Sequence, residues 1–275
     1  MSSADRSQYA EAVTRLSKGE LRDVLSASEP PVCLLGGWAV HIHVTEGFRA
    51  AYDRSYIGSR DIDLGVHIDP KWSPEELAGS SVATTLNKIV TVLEYRRGRF
   101  GFYQEFHRET GARLDDENSR REPPHNVFRL DIDIMPDTTE LDSFEDAFGF
   151  RPPAEPLLRP VFTDDAGGPL DAYVDWNAPA QVRIAPVDLL GAMKIRSAPQ
   201  RDKGHKLLKD LTDLHALLWY VTDYDDIRSA VQNRVSEEDR SQFVSLMTED
   251  LFERSANLID VDPTIVRQSI EGVFT

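Results

Sequence analysis

Two short segments of alternating polarity constrain this chain more than anything else in it. One runs Arg60-Asp61-Ile62-Asp63-Leu64-Gly65-Val66-His67-Ile68, the other Val127-Phe128-Arg129-Leu130-Asp131-Ile132-Asp133-Ile134-Met135. Apolar residues at every second position have the period of a strand with one buried face. Side chains two apart on a strand share a face, so Asp61 and Asp63 project together, about 6–7 Å apart at the backbone. Asp131 and Asp133 repeat the arrangement, and Pro70 and Pro136 end the two segments.

Like charges so placed repel unless a cation lies between them. Hard carboxylate oxygens suit Mg²⁺, which takes one or two protein carboxylates and completes its octahedron with water and phosphate oxygens. For either pair alone, a solvated strand face is the plain alternative. If the two strands are neighbours in one sheet, three carboxylates converge. Such a set can hold two metal ions about 3.5–4 Å apart, the arrangement that stabilises attacking and leaving oxygens in phosphoryl transfer.

A third feature precedes both strands. The apolar run Pro31-Val-Cys-Leu-Leu stops at Gly36-Gly37, and 38–44 reads as a helix leaving that turn. A strand, two glycines and a helix bring backbone amides and a helix N-terminus close to a bound group, which suits phosphate. Alone, the same glycines are a tight turn.

Around these features the pattern is mixed in the front half and helical in the back. Helical spacing covers 9–24, and Ser73-Pro74-Glu75-Glu76 opens another helix with Ser73 as N-cap. A strand is expected over 100–108 and a charged loop over 115–124. The Pro- and Gly-rich stretch 151–177 reads as a connector with one short strand pair. Helices follow over 186–196 and 205–221, separated by Pro199 and Gly204. Two or three more occupy the last fifty residues, with starts at Ser236 and Asp262-Pro263. The expected fold class is α+β, a mixed sheet flanked by helices with a C-terminal helical domain. The expected divisions are 1–150 (catalytic), 151–185 (connector) and 186–275 (helical, with a basic phosphate-binding segment).

Composition narrows the class. With 275 residues, 40% of them hydrophobic, and one cysteine, the chain can bury a core without a disulfide framework or a Cys-rich zinc module. No apolar run is long enough for a membrane span, and no basic-then-apolar signal opens the chain, so an intracellular, cytoplasmic protein with no membrane partner is expected. The net charge is −16, with 47 acidic against 31 basic residues. That excess, with arginine favoured over lysine, fits a chain solvated in high salt as well as an acidic chain with an arginine bias. It argues against non-specific wrapping of nucleic acid, which is driven by phosphate neutralisation.

Taken in order, Gly36-Gly37, Ser59-x-Asp61-Ile-Asp63 and Arg129-Leu-Asp131-Ile resemble the nucleotidyltransferase superfamily that includes DNA polymerase beta. The resemblance implies that Asp61 and Asp63 hold two Mg²⁺ ions, with Mn²⁺ as a substitute. Asp131 would complete the site and help deprotonate the attacking hydroxyl, Asp133 being the reserve. It also implies nucleotide contacts from Gly36, Gly37, Ser59 and Arg60. The lead Arg54-Ser-Tyr-Ile-Gly58-Ser59 departs from the family's Gly-x-Arg-x-Ser, which leaves the contacts of Ser59 and Arg60 open.

The back half narrows the resemblance. Val187-Asp188-Leu-Leu-Gly-Ala-Met-Lys194-Ile-Arg196, Arg201-Asp-Lys203 and Lys209-Asp210-Leu-Thr-Asp213-Leu look like AbiEii-type nucleotidyltransferases, which are abortive-infection and toxin–antitoxin enzymes. Lys194 would contact phosphate, with Arg201 and Lys203 beside it. Asp210 and Asp213, at i and i+3, would position those basic residues, or Asp210 would act near the attacking group. Four of the seven lysines (194, 203, 206 and 209) fall within sixteen residues, a local cationic patch suited to a triphosphate. A surface helix with paired charges is the alternative.

Remaining candidates carry less. His41 and His43 diverge on a helix, Cys33 is a buried small hydrophobe, and Trp38 fills core or stacks on a base. The run Leu217-Leu-Trp219-Tyr220 is helix packing. The expectation is therefore an Mg²⁺-dependent transfer of NMP from an NTP to an acceptor hydroxyl. The acceptor would be a tRNA or other RNA, and an antitoxin protein would be a partner. A small aminoglycoside-like acceptor and a nucleotide-binding regulator without turnover are the alternatives.

Overall fold

The computed structural model describes Tyr9 and residues 11–202 and 204–274. Its strands are β1 (Val32–Leu34), β2 (Ile62–Val66), β3 (Arg96–Arg97), β4 (Gly101–His107), β5 (Arg113–Leu114), β6 (Val127–Pro136), β7 (Gly168–Pro169) and β8 (Val182–Ile184). They form one mixed sheet in the order β3-β4-β6-β2-β1-β8-β7, with β5 on β4. β2 lies parallel to β6, and β1 parallel to β8 and antiparallel to β2. With the surrounding helices the protein is α+β.

By contacts the chain divides into two compact units. One holds Tyr9–Trp38 and Gly58–Ala185, the other Ala39–Ile57 and the described residues of Pro186–Thr275. The division falls within α2 (Gly36–Tyr52), so 39–57, which lies inside the expected catalytic stretch 1–150, belongs to the helical unit.

In the sheet unit, Ile62 pairs with Ile132, Asp63 with Asp133 and Leu64 with Ile134. Ile62, Leu64, Leu130, Ile132 and Ile134 are fully buried. Each such side chain contributes about 1.5–3 kcal/mol. A slip of one residue would turn all of them to solvent and the aspartates inward, so the apolar face fixes the register.

The helices beside the sheet are α1 (Glu11–Ala27), α3 (Pro74–Ala78), α4 (Ser81–Thr91), α5 (Asp116–Arg121), α6 (Asp142–Phe148) and α7 (Arg159–Thr163). The expected cap at Ser73 closes a capping box with Glu76 and carries Pro74 in its first turn. Two expectations are corrected in this unit. The charged stretch 115–124 contains α5, because Asp115 accepts from the Asn118 amide at 2.7 Å and Arg121 pairs with Glu117 one turn back. In the connector, β7 finds its partner in β8, beyond residue 177.

The helical unit comprises α8 (Val187–Ser197), α9 (Gly204–Tyr220), α10 (Tyr224–Gln232), α11 (Glu237–Val244), α12 (Glu249–Ile259) and α13 (Pro263–Glu271). Four helices thus follow α9, where two or three were expected. Ser236 and Asp262 cap α11 and α13 as expected. α9 is buried along 208–218 and packs with α8, α10, α12 and α13. Trp219 departs from the packing expectation, being 40% exposed, while Leu217, Leu218 and Tyr220 are buried.

His215 lies in the core of this unit, its Nδ1 2.7 Å from Ser269 Oγ. Ser269 donates its own proton to the Val266 carbonyl at 2.8 Å, so Nδ1 carries the imidazole hydrogen. Burial pushes the imidazole down to about 3 from an ordinary 6.5. The unfolded chain therefore takes up a proton below about pH 6.5 that the folded chain refuses until near pH 3. Stability should fall across that window as pH drops, by up to about 1.4 kcal/mol per pH unit from this group. Urea titrations at several pH values should show this fall, and His215→Leu should flatten it. An unchanged slope in that variant would contradict the assignment.

Candidate active site

The parallel register that buries the isoleucines sets the acids on the other face. Asp63 and Asp133 are direct register partners, Asp131 stands two residues before Asp133, and Asp61 immediately precedes β2. Adjacent strands lie about 4.8 Å apart, so this end of the sheet concentrates negative charge.

The glycine turn closes on the same spot. The amide of Leu35 donates to the Asp63 carbonyl at 3.0 Å, which pulls the end of β1 against β2. Gly36 follows with φ of +59°, and a Cβ there would stand 1.7 Å from Asp63 Oδ2. Only glycine fits beside that carboxylate in this backbone conformation. Gly37 is buried in the first turn of α2, and Ser59 is buried just ahead of the acids. Arg60 holds its guanidinium 5.4 Å over Phe128, a residue of the buried apolar face of β6.

Asp131 has a cation of its own. Arg129 donates to Asp131 Oδ1 through Nε at 2.8 Å and Nη2 at 2.7 Å. The same guanidinium lies 4.0 Å over the ring of Tyr103, the register partner of Asp131 on β4. Burial works against the Arg129 cation, but Asp131 outweighs it and the group titrates above its ordinary range. Among the described residues, no three His, Cys, Asp or Glu side chains are gathered closely enough to hold a metal ion.

The donor set still fits a hard divalent cation. It offers carboxylates alone, two of them in register across parallel strands, with Gly36 so close to Asp63 that a Cβ there would overlap its Oδ2. Asp61, Asp63 and Asp131 would hold such an ion, with Asp133 beside them.

A second charged cluster lies inside the helical unit. Lys194 reaches Asp210 Oδ1 and Asp213 Oδ2, each at 2.8 Å. Arg201 Nε donates to Asp210 Oδ2 at 2.6 Å. Lys209 pairs with Asp213, and Tyr56 donates to the same carboxylate at 2.8 Å. Lys194, Lys209, Asp210 and Asp213 are all buried, so 194 and 209 are internal ion pairs and not part of an exposed patch. Burial opposes the Lys194 charge, yet its two carboxylates hold it above its ordinary range. Lys209 goes the other way, since burial and Lys194 outweigh the pull of Asp213 and Asp210. Burial likewise penalises the Asp210 anion, but Lys194 and Arg201 leave it below the usual carboxylate range. Lys203 lies outside the described residues.

Sequence reasoning assigned no part to Arg129 or Tyr56. The alternation that joined Asp131 to Asp133 also puts Arg129 beside Asp131, so Arg129 was within its reach. Nothing local to Tyr56 points to Asp213, 157 residues away.

A family model described as nucleotidyl transferase AbiEii toxin, type IV TA system, matches residues 49–267. The chain belongs to the AbiEii nucleotidyltransferase toxin family. The AbiEii match begins after Gly36-Gly37 and takes in Asp61, Asp63, Asp131, Lys194, Asp210 and Asp213. Among solved structures, this AbiEii chain is similar to an antigenic nucleotidyltransferase-like protein from Paracoccidioides brasiliensis. The identity is 13% and the TM-score 0.36, over 89% of this chain and 98% of that one. No curated protein matches the sequence. Among the described residues, no helix is long and apolar enough to cross a membrane.

Two substitutions test this geometry. Gly36→Ala drives a methyl into the Asp63 carboxylate at positive φ and should cost about 1–3 kcal/mol in urea unfolding. A variant as stable as the parent would show that the close approach is not required. Lys194→Met leaves Asp210 and Asp213 buried with one cation fewer and should cost about 3–5 kcal/mol. A loss below about 1 kcal/mol, the value of an exposed pair, would mean that the cluster is solvated.

Proposed function

We propose that this AbiEii-family protein transfers a nucleoside monophosphate from an NTP to an acceptor hydroxyl and releases pyrophosphate. Asp61, Asp63 and Asp131 hold Mg²⁺, or Mn²⁺ in its place. The observation that carries the reading is the in-register pairing of Asp63 with Asp133 beside Gly36, which sets carboxylates against a glycine turn at a helix N-terminus.

In the reaction the acceptor oxygen bonds to the α-phosphorus, and the bond from that phosphorus to the bridging oxygen breaks. Pyrophosphate leaves with the electron pair, and the hydroxyl proton passes to Asp131. The backbone amides at Gly36 and Gly37 face phosphate oxygens, helped by the N-terminal end of the α2 dipole. The Ser59 hydroxyl adds a donor at the same end of the sheet. When bound, the divalent ions neutralise the α-phosphate and the leaving group.

The acceptor we favour is an RNA 3′ end, tRNA included, in line with the toxin family. A net charge of −16 opposes a broad electrostatic footprint, so contacts are confined to the terminal nucleotides. The same charge favours a second reading, a cationic small acceptor of the aminoglycoside kind. An antitoxin protein is the partner in the cell.

Incubation with each α-labelled NTP, Mg²⁺ and total RNA tests the proposal, with an aminoglycoside panel run in parallel. Label should enter RNA, and Asp63→Asn should reduce it at least about a hundredfold. Label on the small acceptors alone would select the second reading. NTP binding without transfer to either, or full labelling by the variant, would refute the catalytic assignment.

A further inference from the structure

We propose that Arg129 is the resident counter-ion of Asp131 and leaves it when a divalent cation binds, so that the cation enters by exchange. The inference rests on the reading that Asp131 is a metal carboxylate. It starts from the two bonds that Arg129 places on one oxygen, Asp131 Oδ1. In that state Asp131 already has a cationic partner, 2.7 Å away.

The surroundings give Arg129 somewhere to go. Its register partner on β4 is Glu105, whose carboxylate adds to the field stabilising the guanidinium. Glu105 is held at 3.0 Å by Arg96, which also pairs with Asp116 and so can share it. Tyr103 lies between, its ring 4.0 Å from the Arg129 guanidinium. A planar cation can pivot over that ring from Asp131 toward Glu105 and keep both its aromatic contact and an acid partner. The exchange is mild, because the Arg129 and Asp131 side chains are 48% and 34% exposed, and ion pairs at such exposure are weak. A divalent ion brings twice the charge and a preference for hard oxygen, and it outcompetes the guanidinium.

Mn²⁺ titration of the full chain, followed by electron paramagnetic resonance or calorimetry, tests the exchange. Arg129→Gln should bind Mn²⁺ about fivefold more tightly than the parent, equivalent to ~1 kcal/mol. Arg97→Gln removes the same charge from β3, where Arg97 bonds the Phe148 carbonyl, and should stay within about twofold of the parent. Asp131→Asn should weaken binding, and adding Arg129→Gln to it should restore nothing. Weaker binding by Arg129→Gln would mean that the arginine orients the carboxylate. Unchanged binding, or tightening that persists without Asp131, would also overturn the exchange. A parent protein whose Mn²⁺ binding ignores both Asp63→Asn and Asp131→Asn would instead remove the metal reading itself. Urea unfolding confirms that each variant is folded.

Discussion

The parallel pairing of Ile62–Val66 with Ile132–Pro136 is the constraint on which the site depends. Its buried isoleucines and leucines can be satisfied in one register only, and that register puts Asp63 against Asp133. The hydrophobic effect holds like charges side by side, an arrangement electrostatics alone would disfavour. The fold thereby gathers carboxylates at one end of the sheet. Gly36 makes room there for the Asp63 carboxylate, and Arg129 places a cation on Asp131.

The two charged centres of the protein differ in solvation, and the difference sets what each can do. Lys194, Lys209, Asp210 and Asp213 are buried, and removing one partner would leave an uncompensated charge in a poorly polarisable interior. Such a cluster specifies one packing of α8 against α9 and does not readily rearrange. Arg129 and Asp131 are half-exposed, so water can replace either partner during a swap. A fixed centre and an exchangeable one therefore arise from the same residue types at different burial.

Much of the fold was legible because its signals are local. Alternation marks β2 and β6, and Ser73, Ser236 and Asp262 mark helix starts through side-chain bonds three or fewer residues long. The short helix at 116–121 hid among charges because no apolar stripe announces it, and its support comes from Asp115 and a surface ion pair. The lysine concentration was visible, but its meaning depends on burial, which sequence spacing does not report. Arg129 is the instructive case at the site. Its proximity to Asp131 follows from the strand period, whereas the contact of its guanidinium with Tyr103 comes from another strand and has no local signature. The inclusion of 39–57 in the helical unit is a tertiary fact with no local signature.

Membership in the AbiEii family implies nucleotidyl transfer, and the proposal assigns that chemistry to the acid-bearing face. The most direct measurement is an anomalous difference map from crystals grown with Mn²⁺. The account requires a peak in contact with carboxylate oxygens of Asp61 and Asp63, with Asp131 turned away from Arg129 toward it. Full occupancy elsewhere in the molecule, with these side chains unchanged, would contradict it.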